Sequence, residues 1–534
     1  MVDTSVHLGR YHNAPRKSGM FVNFRNWMVN EGRAKIVFWL FVIAQLLYFA
    51  QSYYVLWTSP SVKTFRSVLG QGLPIARGAA NIINLNCAIL LFTVCRNLIS
   101  GLRGTFLGRI IPFDKNITFH IWIAYFIVFW TIVHVIAHYF NYLNVAIVFE
   151  KVTSWQLAMI SGPGWTGQVI SVSFFLMVTS ALEAVRRKYF EMFWFTHHLF
   201  IVFFGALLMH GSFCFIKGDT GDPCRGGPTF WKWWVASGVA YFLERVYREF
   251  RGREKTIVSK VVQHPSKVVE VQFKKSTFKA KAGQYIFICC PEISIWEWHP
   301  FTLTSSPYED FVSLHIRVVG DWTTKFAQRL GCRFGGPEEA GMSPPKSLPF
   351  VMIDGGFGSA SEDVFDYEAA ILVGAGIGVT PFASILKTIW YRLQNREGTI
   401  ALRKVYFVWT CRDKEAFEWF QDLLVTLEEE NIDDFLEIHS YLTGKLKINE
   451  VKNICINDGE DGKDAITGLR ARTHFGRPNW DEIFSGVRNK HPGADVGVFF
   501  CGPKVLSQAL HKACNKWTEA TPTGTRFYYG KENF

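Results

Sequence analysis

Six apolar segments of membrane-spanning length fill the first half of the chain and constrain its fold more than any other feature. They lie at 35–57, 76–99, 117–140, 167–185, 194–214 and 229–250. A helix needs about 20 mostly apolar residues to cross a bilayer, so each segment predicts a transmembrane helix. Hydrophobic residues reach 49% and aromatic residues 16% of the chain, which suits a membrane protein better than a soluble enzyme. The first 34 residues are polar and basic, so we expect no cleavable signal peptide.

Basic residues between the apolar segments predict the orientation. Lys and Arg cluster before the first segment and after the second, fourth and sixth, as at 186–188. The positive-inside rule therefore places the N-terminus and the C-terminal half in the cytosol. Anionic lipid headgroups next to these clusters account for the net charge of +12, so no nucleic-acid partner is expected. Cys214 and Cys224 then fall in the last outer loop, where a disulfide and two free thiols are equal alternatives.

Two of the apolar segments carry histidines at matching depths. His120 and His134 lie fourteen residues apart in the third segment, and His197 and His210 lie thirteen apart in the fifth. Each spacing corresponds to about 20 Å along a helix. Pairing His120 with His197 and His134 with His210 predicts axial ligands for two haems stacked across the membrane. The alternatives are histidines that only pack helices together, and a compact metal or proton-relay site, which the spacing disfavours.

The two spacings also predict an irregular fifth helix. At about 100° per residue, fourteen residues return to nearly the same helix face, whereas thirteen miss it by roughly 140°. The fifth helix should therefore be tilted, kinked or π-bulged, or it must present different edges to the two haems. His138 lies one turn beyond His134, on nearly the same face of the third helix.

The second half of the chain reads as a soluble α/β protein. Alternating apolar residues over 251–365 predict a small antiparallel barrel, and this alternation includes the stretch VSLHIRVVGDWTTKFAQRL. From 366 to 534, strands alternate with helices, which predicts a parallel sheet that binds ligands at the carboxyl ends of its strands. The loop GAGIGVTP is not a P-loop and lacks the GxGxxG spacing. Its glycines would admit a pyrophosphate at a helix N-terminus, and a plain tight turn is the alternative.

Taken together, these motifs resemble those of the catalytic subunit of the NADPH oxidases, a superoxide-generating flavocytochrome b within the ferric reductase superfamily. The resemblance runs from ARGAANIINLNCAILLFTVCRNLISGLRG to the terminal KENF, and the short outer loops are closer to the fungal branch. The motifs that carry it are HPFTLTSSP, HIRVVGDWT, SEDVFDYE, GAGIGVTPFASILK, CRDKEAFEWF, GRPNW and CGP. The implied fold is a six-helix transmembrane haem-binding bundle followed by a ferredoxin–NADP-reductase-like module. Its expected parts are a basic N-terminus (1–34), the bundle (35–250), an FAD-binding barrel (251–365) and an NADPH-binding α/β domain (366–534).

The resemblance also implies the residues that contact the cofactors. Residues expected to hold FAD are His299, Pro300, Phe301, Thr302, Arg317, Gly320 and Thr323. Residues expected to hold NADPH are Gly374, Gly376, Gly378, Thr380, Pro381, Cys501, Gly502 and Pro503. Arg412 and Arg477 are candidates for the 2′-phosphate, because guanidinium groups suit phosphate, and exposed loop charge is the alternative. Phe534 resembles the terminal aromatic residue that shields the flavin ring. A histidine at 299 replaces the arginine of soluble reductases, and DGGFG at 354–358 departs from the usual Gly-Pro-aromatic-Gly.

The implied activity is electron transfer from cytosolic NADPH through FAD and both haems to O2, with superoxide as the product. Arg77 and His138 would line the oxygen pocket, and a snorkelling arginine with a packing histidine is the alternative. A ferric-chelate reductase with the same electron path and a redox-inactive channel or scaffold are the rival functions. The implied partners are a cytosolic activator, a Rac-like small GTPase and a small membrane-embedded protein, at the plasma membrane or an endomembrane. Without an EF-hand pattern, direct calcium control is not expected.

Overall fold

The computed structural model describes residues 19–213, 230–335, 347–395, 401–430, 435–445 and 463–532. Cys214, Cys224 and Phe534 lie outside these ranges, so the roles expected for them stay predictions. The chain divides into two compact units. One unit comprises Ala34–Val246, and the other comprises the residues up to Arg33 together with those from Tyr247 onward.

The unit Ala34–Val246 is built from helices. In chain order, the helices that lie in or run into it are α1 (Met20–Trp27), which continues through a π-helical turn (Met28–Gly32) into α2 (Arg33–Thr58), then α3 (Lys63–Leu69), α4 (Gly72–Phe92), α5 (Arg96–Arg103), α6 (Phe106–Ile110), α7 (Asn116–Val148), α8 (Ser154–Met159), α9 (Gly162–Ala181), α10 (Glu183–Lys188), α11 (Phe190–His197), α12 (Phe200–Ser212) and α13 (Trp231–Arg253). Four helical stretches of the described residues are long and apolar enough to cross a membrane: Met20–Thr58, Gly72–Phe92, Phe113–Val148 and Phe190–Ser212. The other two predicted spans coincide with α9 and α13.

The helical unit has the polarity expected of a membrane protein. Large apolar side chains such as Leu47, Phe129 and Phe175 are exposed, where lipid rather than water would meet them. Polar side chains are instead found inside, and the buried Asn86 amide donates to Oε1 of Gln45 at 2.8 Å. Lipid tails are as apolar as the helix surfaces, so such hydrogen bonds help to hold membrane helices together.

The flavin-domain region, which begins after α13, contains two antiparallel sheets around one core. Its strands are β1 (Ile257–His264), β2 (Val268–Lys274), β3 (Tyr285–Cys289), β4 (His299–Thr302), β5 (Val312–Arg317) and β6 (Met352–Phe357), in the orders β1-β2-β5 and β4-β3-β6. Apolar residues from both sheets share one buried cluster. The strand pattern predicted for this region was wrong after Gly320, because Asp321–Arg329 forms a helix, α14. Trp322 and Phe326, four residues apart, are both buried on one face of that helix.

A buried ion-pair cluster holds the end of α13, which belongs to the same unit from Tyr247 onward, against this region. The Asp354 carboxylate is 1% exposed and accepts hydrogen bonds from Arg248 Nε at 2.6 Å and Arg251 Nε at 2.8 Å, with a further contact from Arg251 Nη2. Asp354 opens the DGGFG segment, so this loop is tied to the helix by two arginines. A buried carboxylate with such partners is strongly held, and removing one member of the cluster is costly.

The nucleotide-domain region is a six-stranded parallel sheet with helices beside it. Its strands are β7 (Ala369–Ala375), β8 (Lys404–Cys411), β9 (Leu436–Leu442), β10 (His474–Phe475), β11 (Asp495–Cys501) and β12 (Arg526–Lys531), in the order β10-β9-β8-β7-β11-β12. The helices are α15 (Thr380–Asn395), α16 (Glu418–Glu429), α17 (Trp480–Lys490) and α18 (Lys504–Trp517). The strands pair in parallel, and separate buried clusters form its two cores. All strands therefore end at one edge, as predicted from the alternating pattern.

Two further features stabilise this region. The segment before α2 contacts β12, because Asn30 Nδ2 donates to the Phe527 carbonyl at 2.9 Å and Asn30 Oδ1 accepts from the Tyr529 N–H at 2.9 Å. On β9, Glu437 is half-buried. Burial alone would raise its pKa, but hydrogen bonds and charge from His439 and Lys490 outweigh burial and lower the pKa of Glu437 to about 2.

Candidate functional site

The four membrane histidines meet in the two predicted pairs. The ring centres of His120 and His197 are 6.3 Å apart, and those of His134 and His210 are 6.2 Å apart. An imidazole nitrogen binds a metal ion at about 2.0–2.1 Å, so two rings on opposite sides of one ion have centres about 6.3 Å apart. The separations are too long for stacking and match a metal ion between the rings. The residues present therefore fit axial ligation of two haems.

The fifth apolar segment is interrupted between its two histidines. His197 ends α11, His198 and Leu199 lie between the helices, and His210 lies near the end of α12. By contrast, α7 runs unbroken from Asn116 to Val148 through both of its histidines. The interruption supplies the rotation that a thirteen-residue spacing lacks, so the predicted irregularity of the fifth helix is confirmed.

Two threonine hydroxyls orient the histidines of different pairs. Thr93 Oγ1 lies 2.9 Å from His120 Nδ1, and Thr166 Oγ1 lies 3.0 Å from His210 Nδ1. Each hydroxyl donates its single proton to a carbonyl of its own helix, at 2.6 and 2.7 Å. The threonine must therefore accept from the imidazole Nδ1–H, which leaves Nε2 unprotonated and free to bind a metal. We did not predict these threonines from the sequence, because their spacing from the histidines has no pattern.

The remaining ligand histidines differ from each other. His134 Nδ1 lies 2.9 Å from the Ala76 carbonyl, which can only accept, so Nδ1 of His134 also carries the proton. His197 Nδ1 is buried and has no hydrogen-bond partner in the described part of the chain. Three of the four histidines are thus fixed in the tautomer that a metal ligand requires.

Arg77 and His138 lie at the same end of the bundle as the His134–His210 pair. The ring centres of His138 and His134 are 4.5 Å apart in an edge-to-face arrangement. Arg77 follows Ala76, the acceptor for His134, and its charge acts on His134, His138 and His210. Arg77 also lines a cavity of about 420 Å³. The structure therefore brings a cation and a third histidine to one histidine pair. The cavity beside Arg77 is lined by other residues such as Gln51, Leu73 and Asn81, and not by these histidines.

In the flavin-domain region, the predicted HPFT segment forms strand β4. The His299 ring stacks on Trp322 with centres 4.2 Å apart, and Phe301 lies on the same indole at 6.1 Å. Burial lowers the pKa of His299, so its imidazole is neutral at neutral pH. Pro300 is exposed. Trp322 was not singled out in the sequence, although its position in GDWT placed it beside predicted flavin residues.

Arg317 ends β5 and is exposed, a few residues before the N-terminus of α14. A helix N-terminus with a nearby guanidinium suits a pyrophosphate. The Thr323 hydroxyl closes the turn itself, because it accepts from the Val319 and Gly320 N–H groups at 3.1 and 3.0 Å. Gly320 and Thr323 therefore fix the backbone at the N-terminus of α14. The Arg317 side chain is exposed and can reach a ligand there.

The predicted nucleotide loops lie against each other at the carboxyl edge of the parallel sheet. Gly374 on β7 pairs with Cys501 on β11. A Cβ atom on Gly378 would lie 2.4 Å from the Cys501 carbonyl oxygen, so only glycine permits this approach. Gly376 has φ +56° with open space around its missing Cβ, and Gly502 has φ +154°. These conformations favour glycine and leave a cradle for a phosphate backbone.

Thr380 and Pro381 begin α15 directly after this loop and are buried. Thr302 Oγ1 donates to Thr380 Oγ1 at 2.5 Å, so the flavin strand and the nucleotide helix meet at the two predicted segments. Pro503 is exposed at the start of α18. Trp409 was missed by sequence reasoning. Its buried indole N–H donates to the Gly376 carbonyl at 3.1 Å, and its position inside an apolar strand gave no signal.

Arg412 and Arg477 are exposed at the same edge of the sheet. Arg412 follows the end of β8, and Arg477 follows β10, two strands along the sheet from β8. Both guanidinium groups are therefore available beyond the glycine loop, on the side away from Cys501.

Comparisons with known proteins agree with this arrangement. Residues 77–208 match the family model described as the ferric reductase like transmembrane component, 253–361 match an FAD-binding domain, and 367–515 match a ferric reductase NAD binding domain. The fold and its sites thus define a membrane-embedded, flavin-dependent oxidoreductase of the ferric-reductase type.

Relatives identify the family. The chain is 46% identical over 525 residues to a superoxide-generating NADPH oxidase heavy chain of Dictyostelium discoideum, covering 96% of this chain and 98% of that protein. It is 39% identical to NADPH oxidase 1 of Mus musculus, with 99% and 98% covered, and to NADPH oxidase 3 of Homo sapiens, with 95% and 99% covered. The chain belongs to the NADPH oxidase family.

Proposed function

We propose that this enzyme carries electrons from NADPH across a membrane to O2 and produces superoxide. The observation that carries the proposal is the pair of histidine sites with ring centres 6.2 and 6.3 Å apart, in a chain of the NADPH oxidase family. Two such sites about 20 Å apart along α7 give electrons a route through the bilayer. The flavin and nucleotide regions supply the electrons.

Each site would hold one b-type haem. His120 and His197 would hold one, and His134 and His210 the other. The Nδ1 atoms of His120, His134 and His210 are engaged in hydrogen bonds, so these three would bind through Nε2. When bound, FAD accepts a hydride and the haems pass on single electrons. The protein's own contribution is to fix the ligand tautomers, exclude water and hold the sites at set depths.

The cytosolic residues position the two nucleotides. His299 to Thr302 form the strand against the flavin, and Arg317 with Gly320 faces its pyrophosphate. The loop from Gly374 to Pro381 holds the NADPH pyrophosphate, and Cys501 to Pro503 face the nicotinamide. Arg412 and Arg477 recognise the 2′-phosphate. The Thr302–Thr380 hydrogen bond supports this assignment because it brings the two binding segments together.

Arg77 and His138 form the oxygen-reducing end. A fixed cation stabilises the negative charge that develops as O2 becomes superoxide. This end faces away from the cytosol, with both termini inside, at the plasma membrane or an endomembrane. A cytosolic activator, a Rac-like small GTPase and a small membrane-embedded protein would control the enzyme.

The test bypasses these activators. Purified protein is reduced anaerobically with dithionite and freed of excess dithionite by gel filtration, because dithionite itself makes superoxide from O2. O2 is then added with a superoxide probe, with and without superoxide dismutase. The proposal predicts haem reoxidation together with a dismutase-sensitive signal, which Arg77→Met weakens. Reoxidation by a ferric chelate alone, without a dismutase-sensitive signal in O2, would instead establish the ferric-chelate reductase.

A further inference from the structure

Three side chains of types that can bind a metal ion share one face of the β1-β2-β5 sheet. Glu270 on β2 pairs directly with His315 on β5 and with Val262 on β1. His264 lies two residues beyond Val262, so it points to the same side as Glu270. The ligand atoms of His264, Glu270 and His315 all lie within 4.8 Å of one another.

Both imidazoles have their Nδ1 atoms occupied and their Nε2 atoms available. His264 Nδ1 lies 3.2 Å from the Glu418 carboxylate, whereas its Nε2 is buried and has no hydrogen-bond partner among the described residues. His315 Nδ1 lies 2.9 Å from Thr304 Oγ1, and its Nε2 lies 4.0 Å from Glu270. A buried, unpartnered nitrogen is costly unless something binds it.

The carboxylate is oriented in the same way. Glu270 Oε1 accepts from the Gln272 side-chain amide at 2.9 Å, which leaves Oε2 facing His315. Metal-binding histidines usually donate a hydrogen bond from their second ring nitrogen to a carboxylate or another oxygen. Metal-binding carboxylates are themselves hydrogen-bonded. Each of the three side chains here has such a partner.

The geometry points to a zinc-binding site formed by His264, Glu270 and His315, with Glu418 orienting His264. Two imidazoles and one carboxylate are a ligand set that Zn²⁺ accepts, with water in the fourth position. At Zn–ligand distances of about 2.0–2.2 Å the ligand atoms lie about 3.4 Å apart. The side chains would therefore each move by about 1 Å, which the flexible Glu270 side chain readily permits.

This site lies where the flavin-domain barrel meets the nucleotide domain. Glu418 begins α16, and the next residue, Trp419, lies on the His315 ring with centres 4.6 Å apart. A bound zinc ion would immobilise both histidines against α16. The site thus gives zinc a means of strengthening the contact between the two nucleotide-binding domains.

The experiment measures zinc on the full chain, purified in detergent with a tag that contains no histidine. Zinc is counted per chain by plasma mass spectrometry, and affinity is measured by titrating Zn²⁺ against a chromogenic chelator. We expect about one zinc ion per chain in the wild type and loss of that ion in His264→Gln. His439→Gln is the matched control, because His439 is also on a strand beside a carboxylate, Glu437 at 3.0 Å, but lies outside the cluster.

Glu418→Gln provides a second variant that keeps all three ligands. Loss of an orienting carboxylate typically weakens metal affinity about 10–100-fold, so the Kd for zinc should rise by that factor while the haem spectrum stays unchanged. The inference is overturned if the wild type binds no zinc in the titration, or if His264→Gln binds zinc as tightly as His439→Gln does.

Discussion

Replacing Thr166 by valine should selectively perturb the haem proposed to lie between His134 and His210. The change removes one acceptor of the His210 Nδ1–H, which lies 3.0 Å from the hydroxyl, while the Pro163 carbonyl remains as a second acceptor and the side-chain shape stays almost unchanged. One such hydrogen bond contributes about 0.5–1.5 kcal/mol. The hydrogen bond makes the imidazole a stronger electron donor, so its loss should destabilise the oxidised iron more than the reduced iron.

The size of the effect follows from the one-electron scale. Since about 59 mV corresponds to a tenfold change for one electron, a differential loss of about 1 kcal/mol raises the reduction potential by about 40 mV. Spectroelectrochemical titration of the purified protein measures this shift, and only one of two haem transitions should move.

Thr179→Val on the same helix is the control for this prediction. Its hydroxyl also donates to a helix carbonyl, at 2.7 Å, but no contact of this hydroxyl with a ligand histidine is observed. If Thr166→Val and Thr179→Val give the same potentials, the threonine does not act through His210 and the reasoning fails.

Three further predictions concern the cytosolic regions. Asp354→Asn removes the buried carboxylate charge that pairs with two arginines and should lower the free energy of unfolding by about 3–5 kcal/mol, measured by denaturant titration of domain fluorescence. Asp310→Asn breaks only the exposed ion pair with Lys274, so it should change the free energy of unfolding by less than about 1 kcal/mol. The depressed pKa of Glu437, about 2, contributes stability that is present above its unfolded pKa and lost as pH falls from about 4.5 to 2, roughly 3 kcal/mol in all. Glu437→Gln should flatten the stability profile over that window, and an unchanged profile would contradict the assignment. Arg412→Gln with Arg477→Gln should reduce the preference for NADPH over NADH at least tenfold, because hydrogen bonds to a charged group contribute about 1.5–3 kcal/mol. If steady-state kinetics show an equal loss of activity with NADPH and with NADH, these arginines do not recognise the 2′-phosphate.

The features that could be predicted from the sequence are those that follow a regular length or spacing along the chain. Apolar runs of about 20 residues located the membrane helices, and alternation of strand and helix located the parallel sheet with its ligand-binding edge. The thirteen-residue interval between His197 and His210 also predicted an irregular helix, because thirteen residues of a regular helix do not return to the same helix face. The interruption between α11 and α12 has that origin.

Contacts between distant segments were not predictable from such patterns. Thr93 and Thr166 come from helices other than those of the histidines they orient, so only the packed bundle shows their role. Trp409 supports the glycine loop from inside a strand whose residues are uniformly apolar. Helix α14 was missed because only three residues separate it from strand β5 and it is short, so few buried residues mark its helical spacing.

Haem content tests the central claim most directly. A dithionite-reduced minus oxidised visible spectrum, with haem counted per chain, should show two low-spin b-type haems in the wild type. His210→Leu should retain one, whereas His198→Leu, which alters the exposed neighbour of a ligand, should retain both. A single haem in the well-folded wild type would contradict one histidine pair, and the absence of haem would contradict the transmembrane electron path itself.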